Sequence, residues 1–110
     1  MRFRYAFNGL RFSFAAEHSI WIHFLATVFV IVLCFVKGVT TTEAMEILFS
    51  VAFVWVSELF NTAVEKLADH VSPSYNDQIK VVKDLSAAAV LIASLTAITA
   101  GLIIFIPKFN

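Results

Sequence analysis

Residues 20–36, IWIHFLATVFVIVLCFV, carry no formal charge and hold His23 near one end, with Thr27 as the only other polar group. In lipid such a run must satisfy its own backbone, and a single segment does so only as a helix. Two more segments of this kind follow, at about residues 44–60 and 85–106. Each approaches the roughly 20 apolar residues that cross a hydrocarbon core about 30 Å thick. A chain of 110 residues that is 60% hydrophobic has no length left for a separate soluble domain. The pattern predicts an all-α integral membrane protein: one domain, residues 1–110, with three transmembrane helices.

The polar residues mark where these helices start and stop. Lys37-Gly38 closes the first span, and Thr40 with Glu43 three residues on is a capping box opening the second. Asn76-Asp77 caps the third and Pro107 ends it. Periodicity carries the second and third helices beyond the lipid, so the expected helices are 20–36, 44–70 and 77–106. Their polar ends meet at the turn VSPSYND. Arg2, Arg4, Arg11, Lys66, Lys80 and Lys83 lie beside the N-terminus and this turn, and only Lys37 and Lys108 lie on the other side. The positive-inside bias therefore predicts a cytoplasmic N-terminus and a cytoplasmic 72–77 turn.

Before the first span, Phe3, Phe7, Leu10 and Phe14 recur at helical spacing among Arg4, Asn8 and Arg11. This predicts an amphipathic surface helix over about residues 3–17. The same stretch lacks the continuous apolar core and cleavage site of a signal peptide. On the third span, Ala89, Ala93, Ala97 and Gly101 form a small-residue stripe suited to close helix packing. Cys34 is a lone thiol in an apolar run and reads as a small hydrophobe. A net charge of zero gives no nucleic-acid footprint.

The chemistry is concentrated in SELFNTAVEKLAD, residues 57–69. At about 100° per residue, Glu65 and Asp69 project within roughly 20° of Glu58, and Asn61 about 60° to one side. Lys66 and Asp69 suit a solvated helix end. Glu58 and Asn61 do not, because apolar residues dominate on both sides of them, and an ionisable group at membrane depth is a functional candidate. Glu17, at the start of the first span, and Lys83-Asp84, before the third, lie at the same level. Glu17 and Glu65 are candidates to hold Mg²⁺, Lys83 to offset phosphate charge, and Glu58 to accept a proton from a hydroxyl arriving through lipid. That set describes phosphoryl transfer to a lipid alcohol, without a Walker A motif.

Glu58-Leu-Phe-Asn61-Thr-Ala-Val-Glu65, then Asp69, Tyr75 and Lys83-Asp84-Leu-Ser-Ala-Ala-Ala, resembles the prokaryotic diacylglycerol kinase family, which includes undecaprenol kinases. The resemblance runs from about Tyr5 through Pro107 and includes Gly9 and Glu17. It implies an ATP- and Mg²⁺-dependent kinase in the bacterial cytoplasmic membrane, a homotrimer with active sites between subunits. Glu58 then matches the general base, with Asn61 also in the active site, and Glu17 and Glu65 match the metal-linked carboxylates. Tyr5, Ser74, Tyr75, Asn76, Lys83 and Asp84 match nucleotide-site positions. Ser74 departs from a frequent glutamate, and Trp21 from a frequent basic residue.

Rival readings fit less well. A di-metal helical bundle wants Glu-x-x-His pairs, but Ala68 follows Glu65 and Asn61 follows Glu58 at that spacing. An ion pathway needs polar groups through the bilayer depth, which 22–36 does not supply beyond His23 and Thr27. A non-catalytic membrane adaptor gives no reason for Glu58 opposite Lys83-Asp84. His18 and His70 read as interfacial, His23 as a hydrogen-bonding or lipid-facing residue of the first span, and no Cys/His set makes a zinc site.

Overall fold

The computed structural model of the chain describes residues 2–16 and 18–109, without the side chains of Ala16 and His18. Four α-helices follow one another: α1 (Arg2–Ala16), α2 (His18–Lys37), α3 (Thr41–Val71) and α4 (Asp77–Phe105). A short 3₁₀ turn, Ile106–Phe109, ends the described chain at Pro107. α2, α3 and α4 are each long and apolar enough to cross a membrane. The chain is thus an all-helical membrane protein with a shorter N-terminal helix ahead of three spans.

The helix ends obey local rules. Gly38 takes a left-handed backbone (φ 76°) and its N–H donates to the Cys34 carbonyl at 3.0 Å, stopping α2. Thr40 Oγ1 accepts from the Glu43 N–H at 3.1 Å while Glu43 accepts from the Thr40 N–H at 3.0 Å, so the capping box is complete. α3 therefore begins at Thr41, three residues before the expected 44, because its first turn is polar and hydrophobicity does not mark it. Asn76 Oδ1 accepts from the N–H groups of Gln78 and Ile79 at 2.9 and 3.2 Å, opening α4 where expected.

Length decides how these helices sit. At 1.5 Å per residue, the 31 residues of α3 extend roughly 46 Å, well past a hydrocarbon core of about 30 Å. The 29 residues of α4 extend roughly 44 Å. Both helices project on the side of the connecting turn. α3 and α4 form the most extensively packed pair, with Ala93 of the small-residue stripe fully buried between helices. Large side chains such as Phe35, Phe49, Phe53, Leu91 and Ile103 remain exposed on the single chain. The spans thus present broad apolar faces outward.

α1 presents Phe3, Tyr5, Phe7 and Phe12 outward. Only its C-terminal end is anchored, where Phe14 meets Trp21 and Phe24 edge-on, with ring centroids 5.1 and 5.8 Å away, and Trp55 at 5.8 Å. Trp21 Nε1 also donates to the Phe14 carbonyl at 2.9 Å. Trp21 thereby ties α1 to α2. At the far end of the bundle Lys108 pairs with Glu43 at 3.0 Å, and the Lys37 ammonium sits 4.1 Å from the Phe109 ring centroid.

Replacing Thr40 with Ala removes one half of the capping box. Reversible unfolding in mixed micelles should show a loss of about 1 kcal/mol, with Thr40→Ser close to the unaltered protein. Equal stability of all three would mean that α3 takes nothing from its cap.

Candidate active site

Glu58 stands on the face of α3 that meets α2, and only 4% of its surface is exposed. Both carboxylate oxygens have partners on α2: Ser19 Oγ donates to Oε1 at 2.8 Å, and His23 Nε2 lies 3.0 Å from Oε2. The same α2–α3 seam is closed one turn deeper. Trp55 Nε1 donates to Thr27 Oγ1 at 2.9 Å, and Thr27 Oγ1 donates to the His23 carbonyl at 2.7 Å.

Further along α3, Asn61 Oδ1 is buried without a hydrogen-bond partner among the described residues. Glu65, half-buried, follows one turn later. An unpaired amide oxygen beside a carboxylate is a hard-oxygen donor set of the kind Mg²⁺ takes, so these residues fit that ion. Glu17, the other expected ligand, lies outside the described residues. No group of three His, Cys, Asp or Glu side chains converges among those described.

The cations come from α4. Lys83 Nζ donates to Asp69 Oδ1, joining α4 to α3. Asp69 binding holds the Lys83 ammonium near the polar column, with Glu65 adding to the field. Lys80 pairs with Asp84 at 2.7 Å along α4. The polar column is therefore split between two neighbours: Glu58 faces α2 and Asp69 faces α4.

The remaining expected positions stay apart from Glu58. Tyr5 and Tyr75 are 67% and 77% exposed. Ser74 lies in the turn, its carbonyl accepting from Ser72 Oγ at 2.9 Å. Asn76 Oδ1 serves the α4 cap, which leaves its amide nitrogen for other contacts. Interaction with the Asp77 carboxylate, chiefly, raises the Tyr75 phenol above its ordinary range.

Sequence reading did not assign Ser19 or His23 to this site. The available signal was their spacing of four, which puts both on one face of α2, at the polar end of the first span. An apolar cavity of about 550 Å³ runs between α2, α3 and α4. Its walls include Ala97, Gly101 and Phe105 at one end and Thr27, Trp55 and His23 at the other.

Three spans, a buried carboxylate between α2 and α3, and a lysine–aspartate pair between α3 and α4 define an all-helical membrane protein with polar contacts between its spans. The family model for prokaryotic diacylglycerol kinase matches residues 4–105. The chain belongs to that family. It is 32% identical over 106 residues to a diacylglycerol kinase of Synechocystis sp., covering 96% of this chain and 61% of that relative's length. An undecaprenol kinase of Bacillus subtilis is 28% identical, with 96% of this chain and 86% of the relative covered. A diacylglycerol kinase of Escherichia coli is 27% identical, with 96% and 87% covered.

Proposed function

We propose that this chain is a lipid kinase that transfers the γ-phosphoryl group of ATP to the hydroxyl of a membrane lipid alcohol, of the diacylglycerol or undecaprenol kind. The observation that carries this reading is Glu58, a buried carboxylate in contact with His23, which lines one end of an apolar cavity, in a chain of the diacylglycerol kinase family. The cavity suits a hydrocarbon chain, and the seam at His23 and Glu58 suits the hydroxyl that ends it. Glu58 takes the hydroxyl proton as the oxygen attacks phosphorus.

Phosphoryl transfer asks the protein mainly for positioning and charge neutralisation. Lys83, already beside Asp69 and Glu65, supplies a point cation for the phosphates, and Asp84 lies next to it. Tyr5 and the 74–76 turn offer exposed aromatic and polar groups to the nucleotide. Glu65, with Asn61 beside it and Glu17 from the start of the first span, would hold Mg²⁺. Bound Mg²⁺ supplies charge neutralisation on the phosphate oxygens. The basic residues around the N-terminus and the turn support a cytoplasmic site, where ATP is found.

One chain leaves much of this site open, and polar groups at membrane depth need helices to cover them. The resemblance to the family and the exposed span faces support a homotrimer with sites shared between neighbours.

Glu58→Gln keeps the shape but cannot take the proton. Turnover should fall about 10²-fold or more while ATP still binds, and near-normal turnover would remove Glu58 from the role. Glu17→Gln and Glu65→Gln should each raise the Mg²⁺ concentration needed for half-maximal activity; titrations that superimpose on the unaltered protein would exclude both as ligands. For shared sites, subunits carrying Glu58→Gln are mixed with subunits carrying Lys83→Ala, and a second mixture pairs Glu58→Gln with Glu17→Gln. Activity should return in one of the mixtures. Absence of recovery in both, with co-assembly shown by crosslinking, places the site within one subunit.

A further inference from the structure

The proton acceptor proposed above has a cost built into its position. A carboxylate removed from water needs hydrogen-bond donors for its oxygens, and as a base it must also be aimed with a lone pair free. Lys83, the nearest cation of the site, is engaged with Asp69 on the α4 side. The donors that reach Glu58 come from α2 instead. Ser19 Oγ–H meets Oε1 at 2.8 Å and His23 meets Oε2 at 3.0 Å.

Each oxygen of an ionised carboxylate has two acceptor sites. One on each oxygen is taken by α2, which leaves a second on each for a substrate hydroxyl. The two contacts also fix the plane of the carboxylate, because they grip both oxygens from consecutive turns of a single helix. His23 is itself held: its carbonyl accepts from Thr27, and Thr27 accepts from Trp55 across the seam. With a carboxylate oxygen facing Nε2, the ring proton belongs on Nε2, so a neutral imidazole is sufficient as donor. The His23 side chain keeps 21% of its surface exposed and lines the apolar cavity. The ring therefore stands where the cavity meets the carboxylate.

We propose that His23 and Ser19 are positioning residues for the transfer reaction: they grip both carboxylate oxygens of Glu58 and aim it at the hydroxyl of a lipid lying in the cavity. The proposal rests on the reading of Glu58 as the base. It adds two residues of the first span, neither of which touches the phosphates, to the groups that set the rate of proton removal. The lipid O–H bond breaks as the proton passes to a free Glu58 lone pair, the lipid oxygen bonds to the γ-phosphorus, and the bridging oxygen leaves with ADP. His23 and Ser19 keep their own protons throughout.

The test compares His23→Leu, His23→Gln and Ser19→Ala in the full-length protein, each alone and with Glu58→Gln. Turnover is measured with a soluble-chain diacylglycerol in mixed micelles, and ATP binding and assembly are measured separately. His23→Leu should lower kcat about 10-fold or more, the scale of a lost charge-assisted hydrogen bond, with KM for ATP nearly unchanged. His23→Gln, whose amide N–H can stand in for Nε2–H, should recover most of that loss. Ser19→Ala should lower kcat in the same direction by less. On the Glu58→Gln background neither change should lower the residual rate further, because residues that act as a unit are not additive.

The proposal is overturned if His23→Leu turns over normally, or if its loss is undiminished in the Glu58→Gln background. It is equally overturned if His23→Gln is as slow as His23→Leu, since the ring would then be needed for more than its donor. Should His23→Leu fail to assemble, His23→Gln and Ser19→Ala still decide the matter through their kcat values and non-additivity with Glu58→Gln. The two readings fail separately. A slow Glu58→Gln with a normal His23→Leu removes only the positioning pair, whereas a normal Glu58→Gln removes the base itself.

Discussion

The burial of one carboxylate organises this small protein. An ionisable side chain among apolar helices is costly unless it is paired, and Glu58 is met by donors on the neighbouring helix. The pairing ties α2 to α3. Trp55 and Thr27 extend the same seam by a turn, and the aromatic group around Phe14 fastens α1 to its upper edge. Remove the carboxylate and the α2–α3 seam keeps only the Trp55–Thr27 hydrogen bond of these polar contacts.

The opposite arrangement holds between α3 and α4. There the contact is long and mostly apolar, built around Ala93 and closed at one end by Asp69 with Lys83. Small residues allow close approach where there is no hydrophobic drive between helices in lipid. α2 and α4 thus flank α3 by different means, polar on one side and steric on the other, and the space they leave becomes the cavity. Lys108 with Glu43, and Lys37 over Phe109, secure the far end.

Much of this was legible in the sequence because membrane spans leave a strong signal. Uninterrupted apolar runs placed the three helices, and Thr40, Gly38 and Asn76 marked their ends through local hydrogen bonding. The start of α3 was misplaced by three residues because Thr41, Thr42 and Glu43 are polar, although the cap itself pointed to Thr41. The column Glu58, Asn61, Glu65 and Asp69 was visible as periodicity. What periodicity could not reveal was that its members face different helices, since that depends on how α2 and α4 are disposed around α3. His23 and Ser19 escaped for the same reason. A histidine in an apolar run is ambiguous until the residue opposite it is known.

The cavity also bears on how the two reactants meet. Under the proposed function, a hydroxyl held on a hydrocarbon chain would reach His23 and Glu58 by moving sideways within the bilayer, while a nucleotide would reach Lys83 from water. The first encounter would take place in two dimensions and the second in three. Under the proposed function the rate would respond to the surface fraction of the acceptor, not to its amount per volume. Diluting the membrane with inert lipid would slow the enzyme even when the total quantity of acceptor in the sample is unchanged.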